Sequence, residues 1–142
     1  MSSDPLISLT YTSRAKLDLA AHELVAIHHT ARHCNALDGI TGLLIFNGVT
    51  FLQTIEGAED AIASLLERLR HDPRHSSLEV RDRRRVEERQ FPDWSMELIR
   101  VDTDWHTARA DIEKALPDTI DPDIRALILR MDASGEQVRL PD

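Results

Sequence analysis

Two apolar runs meet at Asn47-Gly48, and no other junction restricts the fold as much. ITGLLIFN (residues 40–47) is almost continuously apolar, and TFLQTIEG (residues 50–57) follows at once. Asn-Gly between strand-like runs is the strongest short-range hairpin signal, because both residues tolerate positive φ and the turn twists as paired strands do. An antiparallel pair is therefore expected over residues 40–57. Within the second run Phe51, Gln53 and Ile55 share one face, since successive strand residues alternate sides. That face buries an amide between two apolar side chains. A buried amide without partners costs about 1–3 kcal/mol, so Gln53 needs a hydrogen-bonding neighbour.

The remaining elements follow from the same patterns. LISLTYT (residues 6–12) alternates, with Ile7, Leu9 and Tyr11 on one side, and predicts a strand. A helix is expected over residues 18–34 with Asp18 as N-cap and an apolar stripe of Leu24, Ile27 and Ala31 running on towards Asn35. A second is expected over residues 58–69, with Ile62, Leu65, Leu66 and Leu69 at helical spacing. It should stop before Asp72-Pro73, because a proline pushes the preceding residue out of the helical region. Strands around residues 77–85 and 94–101 complete the order strand, helix, strand, strand, helix, strand, strand. Short connections and right-handed crossovers make this an α+β, ferredoxin-like βαββαββ sandwich with both helices on one sheet face.

Leu43, Ile45, Leu52, Ile99 and Val101 point to the other face of that sheet. A small sheet cannot leave two apolar faces in water, so the second face needs a cover. Two short amphipathic helices, over residues 104–116 and 122–131, would supply it with Ile112, Leu116, Ile124, Leu127, Ile128 and Met131. The expected division is thus 1–102 for the sheet domain and 103–142 for a helical extension serving as a lid, dimer contact or output element.

A net charge of −8 argues against nucleic acid as the main partner, since neutralising phosphates takes a basic face. RDRRRVEER (residues 81–89) is locally basic but interrupted by acids, as in a solvated strand edge. No run approaches the length of a membrane span, no secretory signal is evident, and a single cysteine fits a reducing compartment. A cytoplasmic protein is expected. The first helix carries His22, His28, His29 and His33. His29 and His33 have the i, i+4 spacing of a two-histidine metal site, but no acid or cysteine completes a set, so solvated surface histidines and no metal are expected.

On the helix-covered face, Tyr11 and Gln53 are expected side by side on neighbouring central strands, taken as parallel and about 4.8 Å apart. By strand count Trp94, Met96 and Leu98 share that orientation on the last strand, and Asn35 can reach the cleft from above. Tyr11 is the only tyrosine of the chain. Side chains of this kind often satisfy one another, and Trp or Met often only fills a core. As a group, though, a phenol and two amides in an apolar cleft offer more polar valences than they consume. A flat ligand with donors and acceptors along one edge would use the surplus.

Tyr11-Thr12-Ser13, Asn35 followed by DGITGLLIFN, FLQTIEG, DPRH (residues 72–75) and EERQFPDWSM (residues 87–96) together closely resemble BLUF domains, blue-light sensors that use FAD. The resemblance covers residues 6–101. It implies non-covalent FAD, with FMN possible in its place, and a photosensory role without turnover. It implies that Tyr11 donates an electron and then a proton through Gln53, whose amide is left rotated or tautomerised. Asn35 would hold the flavin carbonyl edge, with Cys34 beside it where relatives often carry Asn or His. Ile27, Phe51 and Leu69 would pack near the ring, and Asp72, Arg74 and His75 would lie by the ring edge or ribityl chain. Trp94 and Met96 would relay the amide change to the last strand and the tail. Since some 40 residues after the last strand cannot form an output enzyme, a partner protein in trans and a homo-oligomer are expected. A flavin-free regulatory module would make Tyr11 and Gln53 coincidental. A small enzyme on the same frame, such as an acylphosphatase-like hydrolase or flavin-dependent reductase, lacks an arginine-bearing phosphate loop and a glycine-rich cradle.

Overall fold

The computed structural model describes residues 5–16, 19–73, 75–92, 94–101, 105–118 and 120–129. Among the described residues the elements follow in the order β1 (Leu6–Ala15), α1 (Ala21–Asp38), β2 (Thr41–Phe46), β3 (Thr50–Ala58), α2 (Glu59–Arg70), β4 (His75–Val86), β5 (Ser95–Arg100), α3 (Trp105–Ala115) and α4 (Pro122–Leu129). The sheet order is β4-β1-β3-β2-β5. This is the ferredoxin-like arrangement extended by β5, which pairs in parallel with β2.

One expected direction is corrected. β1 and β3 are neighbours, but antiparallel. The β1–α1–β2 crossover makes β1 and β2 run the same way, and the tight hairpin returns β3 between them. A strand inserted there must oppose both. The hairpin also differs in detail from a simple Asn-Gly turn. Asn47 stands before the loop and its Oδ1 accepts the N–H groups of Val49 (3.0 Å) and Thr50 (2.7 Å). Gly48 takes the positive φ, +97°, that the first loop position requires.

Two cores sit on the two faces. Ile7, Leu9, Tyr11, Leu44, Phe51, Ile55 and Met96 pack beneath Leu24 of α1 and Ile62 and Leu65 of α2, with Ile27, Ala31, Leu66 and Leu69 at the margin. α1 opens at Ala21, where the Glu23 carboxylate accepts the Ala20 N–H (2.9 Å); Asp18 lies outside the described residues. The second core joins Leu43, Ile45, Leu52, Val101 and Ile99 to Ile112, Leu116, Ile124 and Ile128 of the tail, so α3 and α4 cover the far face. Ile120 and Leu129 add to that cover; Leu127 stays half-exposed, and Met131 lies outside the described residues.

The far face also carries a polar network that ties the tail to the sheet. Buried Glu56 accepts the backbone N–H groups of Gln90 (2.8 Å) and Phe91, and the Gln90 side chain bridges Ser8 to the N–H of Asp121. Along edge strand β4 the basic run is laced to acids: Arg81 to Glu79, Arg83 to Glu59, and Arg84 to Asp82 and Asp121. The exposed pairs of Arg81 and Arg83 blunt an open edge more than they stabilise it, while Arg84 and its partners are partly buried.

Candidate functional site

Tyr11 and Gln53 are direct partners in the β1–β3 register, both almost fully buried under the two helices. The Tyr11 hydroxyl donates to Gln53 Oε1 in a short hydrogen bond. Gln53 Nε2 donates in turn to Met96 Sδ at 3.2 Å. A phenol can donate or accept, but a thioether sulfur can only accept. Met96 therefore fixes the amide orientation: the nitrogen must face sulfur, which leaves the oxygen for Tyr11. Burial pushes the Tyr11 phenol well above its ordinary pKa, and the nearby negative charge of Asp72 adds to the shift. The phenol is accordingly neutral and keeps its proton for Gln53.

Met96 reaches this position through a β-bulge. Gly42 pairs with Ser95 and Leu43 with Glu97, so Met96 is the extra residue. Its φ of +120° is strained for a residue with a side chain, at a cost of about 1–3 kcal/mol. The bulge also overturns one expectation. Trp94 does not share a face with Met96 and Leu98; it packs into the far-face core and stacks obliquely on Phe91 at 5.4 Å. Strict alternation breaks where an extra residue enters, so everything upstream of Met96 changes sides.

The other expected residues fall around this centre to differing extents. Ile27 and Leu69 border the helix-face core, and Phe51 lies within it, stacked on Phe46 at 4.6 Å. Asp72 follows α2, half-buried, close enough for its charge to act on Tyr11. Cys34 and Asn35 lie on the last turns of α1 and His75 opens β4, but their side chains, and all of Arg74, lie outside the described residues. Two contributors escaped sequence reasoning. Ser13 was part of the Tyr-Thr-Ser run without a role, and His28 passed as a surface histidine. Its Nε2 lies 2.8 Å from the Met96 carbonyl oxygen. No periodicity could reveal that contact; only the packing of α1 against β5 does. Among the described residues, no group of three or more His, Cys, Asp or Glu could hold a metal ion.

Among the described residues, a polar group on this helix-covered face is left without a partner. Gln53 spends its oxygen on Tyr11 and an N–H on Met96, and the Ser13 hydroxyl, buried on the same face opposite Phe51, has no partner among the described residues. Buried groups of this kind normally find one. A planar heteroaromatic ligand with carbonyl and ring-nitrogen edges would supply the missing partners, while Ile27, Phe51 and Leu69 offer apolar contact to its faces.

Fold and site together define a ferredoxin-like α+β domain with a hydrogen-bonded phenol–amide–thioether chain under two helices. The sequence comparison then assigns it. Residues 6–97 match the family model described as BLUF, sensors of blue light using FAD, and the chain belongs to that family. It is 38% identical over 92 residues to the photoactivated adenylate cyclase subunit beta of Euglena gracilis, covering 64% of this chain but 11% of that protein. The chain thus spans about a tenth of the curated relative's length. Among solved structures it resembles BlrB, a BLUF protein in its dark state, at 36% identity and a TM-score of 0.72, over 95% of this chain and 100% of that one. It also resembles Klebsiella pneumoniae BlrP1 with FMN and cyclic diGMP, at 29% identity and a TM-score of 0.82, over 96% of this chain and 37% of that one. The family binds a flavin and senses blue light. Among the described residues, no helix is long and apolar enough to cross a membrane.

Proposed function

We propose that this chain is a blue-light photoreceptor in which Tyr11 and Gln53 carry the photochemistry on non-covalently bound FAD. The observation that carries the reading is the continuous Tyr11–Gln53–Met96 hydrogen-bonded chain under the two helices, beside a buried Ser13 hydroxyl with no partner among the described residues. A flavin held there supplies, under blue light, an acceptor strong enough to oxidise a phenol. Tyr11 loses an electron and passes its hydroxyl proton to Gln53 Oε1, along the bond already formed. The electron and proton return to Tyr11, so nothing is consumed. What persists is the Gln53 amide, rotated or tautomerised.

The consequence of rotation follows from hydrogen-bond chemistry. Turning the amide brings Oε1 to face the Met96 sulfur, and neither atom can donate. The bond to Met96 is lost and the thioether must move or the bulge must relax. β5 is covered on its far face by the tail, through Ile99 and Val101. We take residues 103–142 as the output element, acting without turnover on a partner protein in trans, with the chain assembled as a homo-oligomer. Asn35, Cys34, Ile27, Phe51, Leu69, Asp72, Arg74 and His75 would contact the flavin, and Met96 would relay the change. Trp94, on the far face, would act only through Phe91 and the tail.

Purified protein should be yellow, with a flavin band that moves slightly to the red under blue light and returns in the dark. Tyr11→Phe should keep the flavin and lose the shifted state, and Gln53→Ala should do likewise. A normal difference spectrum in either variant refutes the mechanism. Failure of the protein to take up FAD refutes the wider reading and leaves a flavin-free module.

A further inference from the structure

Of the four histidines on α1, His22, His29 and His33 are exposed, whereas His28 is half-buried and faces β5. Its Nε2 lies 2.8 Å from the Met96 carbonyl oxygen. A carbonyl can only accept, so Nε2 carries the hydrogen and the ring donates. Met96 is the residue that the β2–β5 ladder passes over, between the Gly42–Ser95 and Leu43–Glu97 pairs. Its backbone carries the positive φ of the bulge, and its sulfur accepts the Gln53 amide. A side chain from α1 therefore holds the carbonyl of the residue whose thioether orients the photochemical amide.

We propose that His28 is a positioning residue that pins the β5 bulge, keeps the Met96 thioether against the Gln53 amide, and makes α1 part of the relay. The inference rests on the Gln53–Met96 reading above. Strained backbone persists only where its surroundings over-determine it. Here the His28 bond and the Gln53–sulfur bond hold Met96 from its two ends. Loss of the first frees the bulge to redistribute along β5 and loosens the second.

The test uses the full flavin-loaded chain with His28→Leu, which fills space without a donor, and His28→Gln, whose amide N–H can replace the ring donor. Two readouts are followed: dark recovery of the flavin band, and the light-minus-dark infrared spectrum of protein labelled at the methionine carbonyl carbon. The chain has three methionines, and Met96→Leu identifies the Met96 band by its loss. His28→Leu should retain the red-shifted state, change recovery by about fivefold or more, the scale of one net hydrogen bond, and shift the Met96 carbonyl band upward. His28→Gln should restore both towards wild type. Wild-type recovery with an unmoved carbonyl band in His28→Leu overturns the proposal. So does equal loss of flavin binding in both variants, because a role confined to the Met96 carbonyl would be rescued by glutamine. Absence of any red shift in the unsubstituted protein refutes the Tyr11–Gln53 mechanism itself, whatever His28 does.

Discussion

Replacing Met96 with leucine isolates the Gln53–Met96 hydrogen bond with little change in volume. Leu–Met exchanges in a packed core cost less than about 1.5 kcal/mol when nothing else is lost. Here the Gln53 Nε2–H loses its acceptor at 3.2 Å and stays buried, adding an unmet donor worth about 1–3 kcal/mol. Sulfur is a weak acceptor, so the lower part of that range applies, and a total near 1–2 kcal/mol follows. For a chain of this size that lowers the melting temperature by about 3–6 °C. The larger effect falls on the switch. With no sulfur to face, the amide loses about 1 kcal/mol of its preference for the observed orientation, and every 1.4 kcal/mol is tenfold. The lit form should therefore outlive that of the wild type by roughly 3- to 10-fold, read from dark recovery of the flavin band. Recovery within twofold of wild type, with an unchanged melting temperature, would mean that Met96 does not orient Gln53.

The remaining predictions concern the phenol and the frame. Because Tyr11 is the only tyrosine and its folded pKa lies above the unfolded value near 10, ionisation favours the unfolded chain. Stability should be unaffected by this group below about pH 10 and fall as pH rises beyond it, with tyrosinate absorbance of the apoprotein appearing together with loss of helix signal. Tyrosinate formed while the helix signal is intact would contradict the burial. Gly42→Ala should destabilise the hairpin by more than about 3 kcal/mol in denaturant titration, since a Cβ there would stand 2.0 Å from the Thr54 carbonyl oxygen. A loss below about 1 kcal/mol would show that β2 and β3 are not packed this closely.

Much of this protein is written in local patterns. Alternation set the faces of β1 and β3, the Asn47-Gly48 pair set the hairpin, and two apolar sheet faces required two sets of helices. Those inferences held because strand period and turn chemistry act over a few residues. The pairing of Tyr11 with Gln53 was legible for the same reason, although their strands run in opposite directions rather than together. The bulge was not legible. Whether β5 takes an extra residue at Met96 depends on where β2 pairs with it and on what holds the spare carbonyl. That holder is His28, 68 residues earlier in the chain. The same event sends Trp94 to the far face and Met96 to the amide. Sequence by itself determined which groups could share a cleft; only the closure of the sheet against α1 decided which atoms touch, because a strand's register is a balance among partners distant in sequence.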